Sequence, residues 1–193
     1  MIKTKEQLKQ VLRQDFVYYH RNGRAKRLYD ILLSRENTCI WRYVKTMRYC
    51  DYYATNKRKS IWHAFMYWWY SRKHNRQGVK LGLIIGSGAF DAGLCLYHTG
   101  NIVVNGYSRI GKNCRLHGSN CIGNSRGGDD CPTIGDNVRL GVGAKVFGKI
   151  YIANNVTIAA GAVVTKSCYE EGAMLAGVPA RVIKKQSKHE SQS

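Results

Sequence analysis

Three histidines stand in the second half of the chain, His98, His117 and His189. Imidazole exchanges protons near neutral pH, so each is a candidate general base. His98 sits in Tyr97-His98-Thr99-Gly100, while His117 directly follows Leu116, where it also reads as an ordinary surface polar group. Asp91, Asp129 and Asp130 carry carboxylates that could orient an imidazole or hold a hydroxyl-bearing ligand. The seven cysteines (Cys39, Cys50, Cys95, Cys114, Cys121, Cys131 and Cys168) are odd in number and form no CxxC pair. Zinc is not expected, and the thiols are expected to be reduced, some as small core residues. The chemistry on offer is proton transfer.

A repeat positions these residues. Aliphatic side chains fall six apart at Ile110, Leu116 and Ile122, then at Ile134, Leu140, Val146, Ile152, Ile158 and Val164. Gly or Ala follows many of them, and a small residue tends to stand four after: Cys114, Val138, Ala144, Val156, Ala162. Period six suits neither a helix nor simple strand alternation; it is the hexapeptide repeat of a parallel β-helix. Each repeat supplies one short strand and one corner, with the aliphatic residue plugging the interior. The segment 124–132 breaks the register, is polar and glycine-rich, and reads as a loop extruded from the coil. His98 also falls on the six-residue register. Either the repeat has not settled there, or a polar ring occupies a core slot.

The first half is built differently. Of 193 residues, 31 are Lys or Arg and 12 are Asp or Glu, a net charge of +19, and residues 1–80 hold +14 of it. That half also holds 15 of the 21 aromatics but only two of the 20 glycines. Apolar spacing predicts helices over Lys5–Tyr19 and about 24–34, 38–53 and 60–73, with Asn37 and Ser60 placed as N-caps. Trp62, Phe65, Met66 and Trp69 recur at helical spacing. They are expected to form the core of a small helical subdomain, the alternative being a face for a membrane surface or a partner. Ile61–Tyr70 is about half a membrane span, and the longer, weakly charged 81–108 carries six glycines and Asp91, which suits turns. No secretory signal is read at the start, so a cytoplasmic protein is expected, with contact to the inner membrane surface or a partner enzyme through residues 1–79. The charge invites a nucleic-acid reading, but no RNP, KH, helix-turn-helix or finger pattern is present, and no nucleic-acid partner is expected.

The repeats, the extruded loop and the closing Ala176-Gly-Val-Pro-Ala-Arg-Val-Ile183 together resemble the hexapeptide-repeat acyltransferases. Within them, Leu96-Tyr-His-Thr-Gly-Asn-Ile-Val-Val-Asn105, Gly127-Gly-Asp-Asp-Cys-Pro-Thr-Ile-Gly135 and Val138-Arg-Leu-Gly-Val-Gly-Ala144 are similar to the serine acetyltransferase branch. The resemblance implies a left-handed parallel β-helix over 80–183, a small N-terminal α-helical domain over 1–79 and a polar tail over 184–193. It also implies a homotrimer with sites between subunits, acetyl-CoA as co-substrate, no metal, and direct acetyl transfer to a hydroxyl. His98 matches the family's catalytic base, with Asp91 and His117 as weaker candidates. Val142, Gly143, Ala160 and Gly161 would line the cofactor groove, and Lys166, Arg181, Lys184 and Lys185 would supply cations for its phosphates.

Two departures bear on the acceptor. Where that branch has an Asp directly before the catalytic His, this chain has Tyr97, and where it has a loop His, this chain has Cys131. A thiol offers no cation to a carboxylate. The pattern more closely resembles the serine-acetyltransferase-like enzymes of surface-polysaccharide pathways, which implies a sugar or surface-polysaccharide hydroxyl as acceptor, with Tyr97, Asp129, Asp130 and Cys131 nearest to it and free serine as the alternative. A non-catalytic scaffold or a basic nucleic-acid binder is the alternative of another class.

Overall fold

In the computed structural model, the described residues are 2–19 and 29–184. Among the described residues, three long helices precede fourteen short strands: α1 (Lys5–Tyr19), α2 (Glu36–Asn56) and α3 (Ile61–Leu81), then β1 (Leu83–Ile85) through β14 (Ala180–Lys184). Of the helix expected over 24–34, residues 29–32 are helical and 24–28 lie outside the described residues, as do Lys185 and His189.

From β3 (Ile102–Val104) the chain steps through three sheets in rotation, every pairing parallel until β13 (Met174–Gly177) turns back against β14. The strand after next-but-one stacks on its predecessor because three hexapeptides make one circuit. Thus Thr133 of β7 (Thr133–Ile134) pairs with Tyr151 of β10 (Tyr151–Ile152), eighteen residues on. Pairs that bracket 124–132 lie further apart: Cys121 of β6 (Cys121–Gly123) pairs with Lys145 of β9 (Lys145–Phe147), twenty-four residues on. Six residues therefore leave the coil there, as the broken register predicts. The repeat's aliphatic residues from Ile110 to Val164 are all buried, and the corner residues Cys114, Val138, Ala144, Val156 and Ala162 lie inside with them. Asn113, Asn137 and Asn155 take positive φ at one corner and stack as a ladder, each Nδ2 donating 3.0 Å to the Oδ1 of the next.

The helices share this core. Tyr19, Ile40, Tyr43, Val44 and Met47 join one buried cluster with Leu83, Leu94, Leu96 and the coil interior. A buried cation staples the two parts. Arg48 donates Nε to Asp15 at 2.8 Å, and its other nitrogens reach the carbonyls of Phe90 and Asp91 at 2.7 Å each. Asp15 in turn accepts from the Gly93 and Leu94 amides, and Asp51 from Ser87 and Gly88. Tyr19 and Tyr43 extend the same theme, their hydroxyls donating to the Leu94 and Leu83 carbonyls.

Three helical expectations change. Ser60 is an N-cap, its hydroxyl accepting from the His63 amide, but Asn37 is not: α2 begins at Glu36, after Arg35. The last helix continues past residue 73 to Leu81, through Gly78, which packs so tightly that an added Cβ would run into the Leu83 carbonyl oxygen. The third change concerns the aromatic stripe. Trp62, Phe65 and Trp69 are 63%, 49% and 52% exposed, so they are not the core of the helical part. The core side of α3 is formed instead by Tyr70, stacked on Tyr49 and Tyr53, and by His74, stacked on Tyr43 at 4.7 Å.

Candidate active site

The first circuit of the coil departs from strict period. Leu96 of β2 (Cys95–Leu96) pairs with Leu116 of β5 (Arg115–Leu116), twenty residues on, whereas Val104 pairs with Ile122 eighteen on. Two extra residues thus lie between Leu96 and Val104, and the corner 97–101 is widened. Leu96 fills the inward slot. His98 is turned out, its side chain 65% exposed. The repeat has not settled at this point, and no polar ring enters the core.

A carboxylate from the helical part holds this corner. Glu36, in the first turn of α2, accepts from the Thr99 amide at 2.7 Å and the Thr99 hydroxyl at 2.9 Å through Oε1. Its Oε2 lies 3.4 Å from His98 Nδ1, a long contact by hydrogen-bond standards. The Thr99 amide, then the Thr99 hydroxyl and His98, hold the Glu36 carboxyl below the usual carboxylate range despite partial burial. Glu36 therefore stays ionised at neutral pH and favours a proton on His98 Nδ1, which leaves Nε2 with its lone pair.

His117 belongs to the same cluster. Its ring stacks on Tyr97 at 4.3 Å and 20°. Burial pushes its pKa down, and the charges of His98, Arg115 and Arg139 push the same way. His117 thus stands neutral beside His98. Below it, successive circuits carry smaller side chains in the same register: the amides of Tyr97, His117, Gly141 and Ala159 each bond the carbonyl before the next position. Gly141 is confined, since a Cβ there would lie 2.6 Å from the Ala160 amide nitrogen. Val142, Ala160 and Gly161 are exposed beside it, with Gly143 half-buried. The Gly143 amide donates to Gly118 and that of Gly161 to Val142. A track of backbone and small side chains therefore runs from beneath His117 toward β13.

Other sequence-predicted residues are not gathered here. Asp91 follows Phe90, which bridges to Ile110 on another sheet; its carbonyl serves Arg48, and Glu36 takes the place beside His98 that Asp91 was expected to fill. Asp130 is engaged within the extruded loop, accepting from Ser125 Oγ at 2.7 Å and from the Lys149 amide at 2.8 Å. Asp129 is exposed, and its carbonyl accepts from the Cys131 amide. Cys131 is buried at 7% exposure, so its thiol is not offered to an acceptor. Lys166 and Arg181 are exposed near the end of the coil, while Lys185 lies outside the described residues. Sequence reasoning missed Glu36, which stands sixty-two residues before His98 with no local spacing to signal it.

No family model matches the chain. It is 35% identical over 107 residues to the serine acetyltransferase of Mycobacterium tuberculosis, covering 54% of this chain and 44% of that protein. With the serine acetyltransferase of Synechococcus elongatus it shares 33% identity over 110 residues, 55% of this chain and 43% of that one. The chain thus spans under half the length of these relatives. Among solved structures it is similar to the serine acetyltransferase of Brucella abortus in complex with coenzyme A, with a TM-score of 0.72 and 26% identity over 95% of this chain and 70% of that one. The soybean serine acetyltransferase complexed with serine aligns with a TM-score of 0.71 and 22% identity, over 93% of this chain and 70% of that one, a likeness of fold. In sequence and in fold, the chain resembles the hexapeptide-repeat acyltransferases of the serine acetyltransferase branch.

Proposed function

We propose that the chain transfers an acetyl group from acetyl-CoA to the hydroxyl of a small acceptor, with serine the first candidate and His98 as general base. One observation carries this reading: His98 is turned out of the coil, and Glu36 and Thr99 hold its corner at the head of a small-residue track. His98 Nε2 takes the hydroxyl proton as the acceptor oxygen bonds to the acetyl carbon, and returns it to the sulfur as the carbon–sulfur bond breaks. Glu36 keeps its charge throughout and steadies the imidazolium that forms between these events. His117, neutral and stacked on Tyr97, walls the acceptor side. A pantetheine arm needs backbone partners more than side chains, which suits Val142, Gly143, Ala160 and Gly161, and the exposed Lys166 and Arg181 suit its phosphates. The three-sided coil is read as a left-handed parallel β-helix, in keeping with the likeness to serine acetyltransferases.

The glycan acceptor expected from sequence has less behind it, because the relatives named above are serine acetyltransferases. It keeps one specific argument, that Cys131 is buried and its thiol supplies no cation where the branch has a loop His. Thiol release from acetyl-CoA, followed with serine and with a panel of sugars, separates the two. Serine-dependent release that falls by about 10²–10⁴-fold in His98→Ala supports the proposal. Release with sugars alone moves the acceptor to a glycan, and no acceptor-dependent release with either overturns the enzyme reading.

A further inference from the structure

We infer that the outer face of α3 docks on an anionic lipid surface. Its inner face, through Tyr70 and His74, packs on α2, as described above. The opposite face carries Ile61, Trp62, Phe65, Trp68 and Trp69 in its first turns and Arg72, Lys73, Arg76 and Lys80 in its last. These five apolar residues are 91%, 63%, 49%, 55% and 52% exposed, a far larger bare patch than scattered surface apolar groups make. The two chemistries adjoin: Trp69, Arg72, Lys73, Arg76, Gln77 and Lys80 line a shallow groove of about 300 Å³. An indole beside a row of cations suits a phosphate headgroup at the edge of its acyl layer.

Charge selects the occupant. Between Asp51 and Asp91 the sequence has no acidic residue, while Lys57, Arg58, Lys59 and the four cations of α3 fall inside that interval. A second copy of the chain meeting this face through its own would set these cations against their equivalents. An anionic bilayer meets the cations with phosphates and the aromatics with hydrocarbon. Among the described residues no helix is long and apolar enough to cross a membrane, so the contact is peripheral.

Vesicle flotation of the full chain, with intrinsic fluorescence, tests this. Three of the four tryptophans lie on this face, so the emission reports it directly. Vesicles of phosphatidylcholine containing phosphatidylglycerol are expected to float the protein and shift its emission to the blue, and phosphatidylcholine alone to do neither. Replacing Arg72, Lys73, Arg76 and Lys80 by Gln is expected to weaken binding on the order of 1,000-fold. Trp62→Ser with Trp69→Ser should remove it independently, and both variants change exposed side chains only. Equal binding to neutral and anionic vesicles overturns the inference, as does no binding to either. It is also overturned if the tryptophan variants lower the oligomeric mass without altering vesicle binding, or if nucleic acid binds as strongly as the vesicles.

Discussion

Glu36 and His98 meet across the junction of helix and coil, and their separate contributions can be measured. Replacing Glu36 by Gln keeps an acceptor for the Thr99 amide but removes the negative charge beside His98 Nδ1. The charge then no longer steadies the imidazolium, and kcat should fall roughly tenfold with KM for the acceptor little changed. A change in KM alone, with kcat unmoved, would make Glu36 only a fastener of the corner. His74 offers a second residue-scale test, away from the site. It is buried against Tyr43, its Nε2 has no partner, and burial lowers its pKa from about 6.5 to about 4. The unfolded chain therefore takes up this proton at higher pH than the native one. Stability is full above the ordinary histidine pKa and falls by up to about 3 kcal/mol as pH descends to the native value. His74→Phe should flatten that slope in urea titrations between about pH 7 and about pH 4.5.

At the scale of elements, the Arg48 cluster joins α1 and α2 to the first circuit of the coil. Arg48→Met would strand Asp15 and Asp51 without their cation, at a cost of about 3–5 kcal/mol at neutral pH. Burial already raises the Asp51 pKa against the pull of Arg48, so without that cation the deficit should shrink as Asp51 protonates in acid. A deficit equal at neutral and acid pH in denaturant titrations would assign the loss to packing instead. Nothing local in the sequence announces this cluster, because its three members lie on two helices and close only when both reach the coil. The coil itself was legible, since each hexapeptide repeats the same local demand for an inward aliphatic residue and a tight corner. Its first circuit was not, because the two added residues before Val104 become visible only once the pairing partners are known. The α3 stripe was legible as a stripe, yet periodicity alone does not say whether anything covers it.

At the scale of the whole molecule, the small-residue track raises the question of a second wall. Val142, Ala160 and Gly161 are exposed, so a long ligand lying along them on a lone chain would keep one side in water. Ile84 and Val103, outward on adjacent strands of one sheet, are also bare, at 62% and 41% exposure. A homotrimer in which neighbouring coils face each other would cover these residues and close the track at once. Light scattering should then give a mass of about 66 kDa, three times the 21.9 kDa of one chain. Specific activity should fall on dilution through the dissociation range, because each site would lose its second wall. Ala160→Trp, at an exposed corner, should raise KM for acetyl-CoA while leaving the thermal midpoint within about 0.5 kcal/mol equivalent of the parent. A 21.9 kDa species with undiminished activity and normal KM would show that one coil suffices, and would leave the exposed track to some other use.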